Sequence, residues 1–265
     1  MGEAIITRRG GIFQEGAEGF ADFPEFTYEN GTYKMLKYGD GNWVISFLTS
    51  GTLNITKLGN MADGVDIFLV GGGGNGGDNT SWYDSSYGSG QHYTGGQGGG
   101  SAYTTTQKGV SLQATSYPIT IAAAEGTTSG FGYTAAGGTG GTGKRNGGDG
   151  TSASSGYDGY AQAGHGQDGE YAFGESDFYH YTGKGYRFAA SGGGGCGYGA
   201  GSSTYAYPGN GGKDGAGAGS KYNVAGTDAV ANSGSGAGGC GGKPTDGSNT
   251  KGKGGSGIII MRNAR

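Results

Sequence analysis

The chain has 265 residues with 69 Gly and only 4 Pro, a glycine content far above that of ordinary proteins but without the proline of collagen. Its 17 basic and 21 acidic residues give a net charge of −4 with no long run of either sign, so the electrostatic footprint of nucleic-acid binding is missing. From Ala124 to Gly257 the only Ile, Leu, Val or Met residues are Val224 and Val230, which excludes a conventional aliphatic core for that half.

The first 25 residues, MGEAIITRRGGIFQEGAEGFADFPE, contain a short β-like piece, EAIITRR, and then a charged, glycine-punctuated stretch. They hold no signal-peptide core and no membrane-spanning run, and the piece has no evident strand partner in the remainder of the chain. Residues 1–25 read as a connector or assembly segment docking onto another component, with a disordered tail as the alternative. From residue 26 the sequence reads as one glycine-rich domain. WVISFL, TLNITKL, VDIFLV, SLQAT, YPITIAA and the closing GIIIMR are short, rich in β-branched residues and bounded by Gly, Asn, Asp or Ser, so they predict strands. Thr49–Gly51 (TSG) predicts a tight hairpin between the first two. The β-scaffold is expected over 26–70, 110–123 and 257–262.

After VDIFLV come glycines in G-x-G-x-x-G spacing at Gly71, Gly73 and Gly76. A dinucleotide fingerprint needs a helix opening at the third glycine, and the following NTSWYDSSYGSGQHYTGGQGGGS has no helical apolar period. TGGTGKR places Arg145 where a phosphate-binding loop needs Ser or Thr after Lys144, and GGDG and GGKDG lack the spacing of a calcium-binding nonapeptide repeat. The glycines therefore call for another explanation.

Seven tracts, GGGGNGG, GGQGGG, GGTGGTG, GGGGCGYGAG, GNGGKDGAGAG, GSGAGGCGG and GKGGSG, are separated by polar or aromatic intervals. Disorder is the ordinary fate of such sequences. The 19 Tyr, 10 Phe and 2 Trp argue against it, because disordered segments are poor in aromatics. An ordered backbone without side-chain packing must pair its own amides and carbonyls. Extended three-fold helices of the polyproline II type point all those groups outward, and missing β-carbons let neighbouring backbones close in. The fold class expected is all-β plus polyglycine II: a strand scaffold clamping a bundle of glycine helices, almost without α-helix. The helices and aromatic loops fall at 71–109 and 124–256.

Aromatic intervals lie between the tracts. Trp82, Tyr83, Tyr87, His92 and Tyr93 occupy one; Tyr157, Tyr160, Tyr171, Phe173, Phe178, Tyr179, His180, Tyr181, Tyr186 and Phe188 occupy the longest; Tyr205 and Tyr207 occupy a third. Mixed with Asp, Ser, Asn and Gly they have the composition of binding loops, and flat rings beside polar groups suit sugars. In a domain starved of aliphatics the same rings can equally be its core. Trp82, Tyr83, Tyr87, His92, Tyr93, Tyr179, His180, Tyr181, Tyr205 and Tyr207 are the candidate ligand-binding residues. Cys196 and Cys240 lie inside tracts, too far apart for a C-x-x-C site, and are expected as thiols filling small positions, a disulfide being the alternative. His92, His165 and His180 have no nucleophile motif beside them, and Glu170 with Glu175 or Asp177 does not stand out as a catalytic pair. Neither enzyme activity nor a cofactor or metal is expected.

The series GNWVISFLTSGTLNITK, VDIFLVGGGGNGG, YPITIAA and the closing GGSGIIIMR resembles the glycine-rich tail and fibre proteins of phages and prophages, over about Phe26 to Arg265. A similar module, packed as polyglycine helices, occurs in anaplastic lymphoma kinase and leukocyte tyrosine kinase. The resemblance implies a virion tail-fibre or tail-tip adhesin, assembled in a host cytoplasm and acting outside it. Its partners would be a host surface glycan or protein and, through residues 1–25, other tail or virion proteins. A homo-oligomer is implied, a trimer before other symmetries, without membrane insertion. A purely structural virion or filament component without a specific ligand is the alternative. The resemblance transfers no individual binding residue.

Overall fold

The computed structural model describes residues 6–8, 23–37, 41–78, 80–84, 90–141, 168–176, 187–193, 195, 208–221, 224–241 and 251–263. It is all-β: the described residues contain short 3₁₀ turns at Gly59–Asp63 and Ala172–Gly174 and no α-helix. The strands are β1 (Ile6–Arg8), β2 (Glu25–Glu29), β3 (Tyr33–Lys37), β4 (Trp43–Phe47), β5 (Gly51–Lys57), β6 (Val65–Val70), β7 (Thr80–Asp84) and β8 (Gly90–Thr94). They continue with β9 (Thr104–Val110), β10 (Ser116–Ile119), β11 (Thr128–Gly130), β12 (Tyr133–Ala135), β13 (Glu170–Tyr171), β14 (Arg187–Phe188) and β15 (Ile258–Asn263).

The central sheet has the order β1-β3-β4-β15-β6-β9, and a smaller sheet has the order β10-β5-β2. WVISF, VDIFLV and IIIM form the middle of the large sheet, buried on both faces, which is why they read as apolar runs without alternation. On one face Trp43, Ile45, Phe47, Ile67, Leu69, Ile259 and Met261 pack with Phe26, Tyr28, Leu53 and Ile119 of the smaller sheet. On the other, Val44, Phe68, Val70, Ile258 and Ile260 pack with Phe173 and Phe188. Each such large side chain contributes about 1.5–3 kcal/mol on burial.

Four expectations need correction. Thr49–Gly51 does not close a hairpin: β4 pairs with β3 and β15, while β5 pairs with β2 and β10 in the other sheet. The link crosses between layers, pinned where the Tyr28 hydroxyl donates to the Thr49 carbonyl (2.6 Å) and the Thr32 amide to Thr49 Oγ1 (2.8 Å). SLQAT is irregular, and the strand begins at Ser116. Ile6–Arg8 has a partner inside the chain, pairing antiparallel with β3, so no external strand is required by this segment. Strand β9 and the β11–β12 hairpin lie in stretches read as glycine helices and loops; β9 was hidden by its polar sequence, TTTQKGV, at the sheet edge. Among the described residues no helix is long and apolar enough to cross a membrane.

The glycine segments leave this scaffold without a break in register. The β6–β9 ladder, which pairs Val70 with Thr104, continues as Gly71 N–H to Tyr103 O, Gly74 to Gly100 and Gly77 to Gln97. The β6–β15 ladder, which pairs Val70 with Ile258, continues as Gly73 N–H to Gly255 O and Gly76 to Gly252. Beyond Val70 the bonds to one neighbour recur at every third residue instead of every second. Residues 234–241 lie at the centre of this array. Their amides donate to Gly74 and Gly77, to Ala190 and Gly193, and to Thr227 and Val224. Their carbonyls accept from the 96–102, 217–220 and 252–255 segments, so this one segment is bonded to six others.

Close approach explains the glycines here. None of the described glycines of 71–77, 96–100, 236–241 or 252–257 is in the left-handed region, so conformational freedom is not what they supply. A β-carbon built on Gly239 would instead meet the carbonyl oxygen of Gly96, and one on Gly236 that of Gly99, both far inside the 3.0 Å that real contacts respect. Ala237 and Cys240, three residues apart, are fully buried within the array. Cys196 lies outside the described residues.

Candidate functional site

The segments 71–78 and 95–100, bonded antiparallel, form the base of the β7–β8 hairpin. An isolated two-stranded hairpin is marginally stable in water. This one grows from a base whose amides are tied on several sides: Gly96 N–H also donates to Cys240 O (2.8 Å), and Gly76 N–H to Gly252 O (2.9 Å). The Asp78 carboxylate pairs with the Lys251 ammonium at 3.0 Å, and that hydrogen bond raises the Lys251 pKa above its ordinary value.

Four of the sequence candidates fall in this hairpin. Trp82 stands directly opposite His92, Tyr83 opposite Gln91, and Tyr93 opposite Ser81. Sequence spacing alone does not reveal that Trp82 and His92 are cross-strand partners; the hairpin register brings them together. Tyr87, Tyr179, His180, Tyr181, Tyr205 and Tyr207 lie outside the described residues.

Other aromatics of the longest interval serve packing. Phe173 and Phe188 are buried against Phe68, with ring centroids 5.8 and 5.5 Å away, and Arg187 lies over the Tyr171 ring at 4.9 Å. Phe173 also lies under the Arg262 guanidinium at 4.2 Å. Arg262 is the largest fully buried charged side chain among the described residues: it donates through Nε and Nη2 to Asp66 (both 3.1 Å) and through Nη1 and Nη2 to Glu175 (both 2.7 Å). Burial works to lower its pKa, and the hydrogen bonds and charges of Glu175 and Asp66 outweigh that, leaving it raised. Asp66 also accepts the Gly109 amide (3.0 Å) beside the bulge in the β6–β9 pairing. The triad joins β15, β6 and the 172–175 turn, and accounts for Glu175 structurally.

A second aromatic surface was missed by sequence reasoning. Tyr117, Pro118, Phe131 and Tyr133 line a cleft of about 560 Å³ between β10 and the β11–β12 hairpin. The signal present in the sequence was GFGY: a two-residue turn, Phe131-Gly132, with a bulky aromatic where Asn or Gly is ordinary. Among the described residues no group of three or more His, Cys, Asp or Glu is gathered as for a metal ion. Comparison with protein families, with curated proteins and with solved structures finds no match to this chain.

Proposed function

We propose that this chain is a tail-fibre or tail-tip protein of a phage or prophage, binding a host cell surface through aromatic loops held on a polyglycine II scaffold. The observation that carries this reading is the three-residue recurrence of backbone hydrogen bonds beneath the β7–β8 hairpin. Three residues per turn is the period of an extended three-fold helix. Six neighbours around residues 234–241 are what a bundle of such helices provides to an inner member.

Such a scaffold suits an adhesin physically. Its stability resides in backbone bonds and close glycine contacts, so the hairpin sequence is free to follow the ligand. A rigid base lowers the ordering cost of binding, and residues directly opposite in a hairpin share a face, which joins Trp82 to His92. Trp and His are residue types that suit a pyranose ring or an exposed peptide loop.

The structural alternative, a virion or filament component with no ligand, draws support from Phe173 and Phe188, which belong to the core although they lie in an aromatic interval. The two readings separate in one experiment. The full chain is added to a panel of bacterial cells and to their isolated surface polysaccharides, as parent and as Trp82→Ala/Tyr83→Ala and His92→Ala/Tyr93→Ala. The adhesin reading expects a loss of about 1–3 kcal/mol in binding with unchanged thermal unfolding. Attachment of both folded variants at the parent level refutes the hairpin as the binding element.

A further inference from the structure

We propose that the outward side of residues 224–231 is a self-association surface, on which the same segment of a second copy of this chain pairs through its backbone. The proposal rests on the extended three-fold helix inferred above and is independent of the host-binding reading.

The first support is the arrangement of the array. Around residues 234–241 the segments 71–78, 96–102, 189–193, 215–220, 224–230 and 252–257 form a ring, each bonded to the next. The bonds run from Gly74 N–H to Gly100 O, Gly192 to Gly99, Gly193 to Gly217, Thr227 to Ala218, Ala229 to Lys253 and Gly73 to Gly255. Three further segments lie outside this ring and bond to it. Residues 136–141 cover 71–78 and 96–102, through Gly138 to Gly72 and Gly100 to Thr139. Residues 122–126 cover 71–78 and 252–257, through Gly72 to Gly126 and Gly257 to Ala122. Residues 209–212 cover 189–193 and 215–220, through Gly212 to Ser191 and Gly219 to Gly209. Among the described residues only the 224–230 member of the ring has no outer segment bonded to it.

The second support is what this member turns outward. Gly226 faces the bundle, where a β-carbon would meet the Gly238 carbonyl oxygen. The Thr227 and Val230 amides donate to Ala218 and Gly215, and the Ala229 amide to Lys253. The third row, Ala225, Asp228 and Ala231, donates to no described residue. Beside it stand Val224 and Val230, the only branched aliphatics between Ala124 and Gly257, at 52% and 53% exposure. A half-chain with two such residues turns both away from its own core. The run VAGTDAVA carries one charge, Asp228, whose carboxylate accepts the Lys253 amide (2.7 Å) and is held against the bundle.

The third support selects the occupant. An extended three-fold chain presents amides and carbonyls every third residue, about 9 Å apart, and so matches the row. A proline-rich chain would bring no amides to the carbonyls of Ala225, Gly226, Asp228 and Ala229, which accept from no described residue. A flexible glycine peptide would have to be ordered residue by residue, which costs more than the net hydrogen bonds return. In a second copy the matching segment is already fixed by its own bundle, and that cost does not recur. A face meeting its own copy closes about a two-fold axis, giving a dimer. The contact is one segment wide and about 25 Å long, at the small end of specific interfaces, so the dimer is weak in dilute solution.

The test is sedimentation equilibrium of the full chain from about 10 μM to 1 mM, the range in which a small interface associates. Ala225→Pro suits an extended three-fold helix, costs the monomer no hydrogen bond and removes one donor from each copy. Val224→Lys/Val230→Lys places like charges on the face at exposed positions. A monomer–dimer equilibrium is expected, weakened about tenfold or more by each variant at an unchanged urea midpoint. A chain that stays monomeric throughout overturns the proposal, as does a dimer that both folded variants leave intact, since its contact then lies elsewhere. An early urea midpoint for Ala225→Pro counts against the three-fold helix at this segment, and the lysine pair then decides the interface by itself.

Discussion

Replacing Gly239 by Ala tests the packing of the glycine array directly. Its added β-carbon would meet the carbonyl oxygen of Gly96, with the Gln97 carbonyl oxygen at 2.7 Å. Both obstacles are backbone, so the 234–241 segment must separate from 96–102 to accept it. That contact is held by Gly96 N–H to Cys240 O, Gly99 to Ala237 and Ala102 to Gly234, at 2.8, 2.7 and 3.0 Å. At about 1 kcal/mol net each, losing the three costs about 3 kcal/mol. Alanine returns about 0.4–1 kcal/mol by restricting the unfolded chain, so a net loss of about 2–3 kcal/mol is expected. Gly140→Ala is the control. Its β-carbon meets mainly Glu125 Oε1, the end of a flexible side chain, and the expected change is within about 1 kcal/mol. Urea unfolding followed by tyrosine fluorescence measures both. Equal stability of the two variants, with Gly239→Ala within about 0.5 kcal/mol of the parent, would refute the close-packing account.

Other outcomes follow from the buried charges and the surface pairs. Arg262→Met should cost about 3–5 kcal/mol in urea unfolding, because it leaves the Asp66 carboxylate buried with only the Gly109 amide. Adding Asp66→Leu to it should recover part of that loss, and strict additivity would show that the pair is not coupled. The Asp168 carboxyl is held below its ordinary value of 3.8, chiefly by the Lys213 amide hydrogen bond, then by the charges of Lys213 and Arg187 against opposing desolvation. A depressed carboxylate stabilises fully above its ordinary pKa and loses that contribution as the pH falls through the folded value. Asp168→Asn should therefore remove one component of the acid-side decline in melting temperature, and an unchanged acid limb would contradict the assignment.

What the sequence reveals follows from what each element asks of its side chains. WVISF, VDIFLV and GIIIM are legible because burial on both faces demands continuous apolar residues. The layer crossing at Thr49–Gly51 is not legible, because three residues between apolar strands match a hairpin equally well. Only the Tyr28 and Thr32 contacts, some twenty positions away in sequence, decide it. Strand β9 carries no apolar period because neither of its faces is fully buried: every residue from Thr104 to Val110 stays at least partly exposed. The β11–β12 hairpin is masked by glycines on either side, although its Phe131-Gly132 turn is visible once the left-handed conformation is known. Arg262 reads as the end of a strand, and its partners Asp66 and Glu175 lie 196 and 87 positions away.

The unbroken register from sheet to glycine array implies that the sheet seeds the array, and this yields a final prediction. The pairings of β6 with β9 and β15 set which residues of 71–78 meet 97–103 and 252–255. Asn75 shows the consequence: its side-chain oxygen accepts the Gly254 amide (3.0 Å), and its own amide donates to Glu125 Oε1 (3.2 Å). On the three-fold helix proposed above, one Gly inserted between Val70 and Gly71 rotates everything beyond it by about 120°. That turns the Asn75 side chain toward a neighbour that accepts only glycine. Three inserted glycines restore the orientation and displace the segment by one turn, about 9 Å along its axis, so that backbone bonds can re-form one period along. The single insertion should therefore destabilise more than the triple insertion, a reversal of the usual expectation that longer insertions cost more. Urea midpoints of the two variants decide the matter. If the loss of stability rises steadily from one to three inserted residues, the three-residue register is not what holds the array, and the sheet only tethers it.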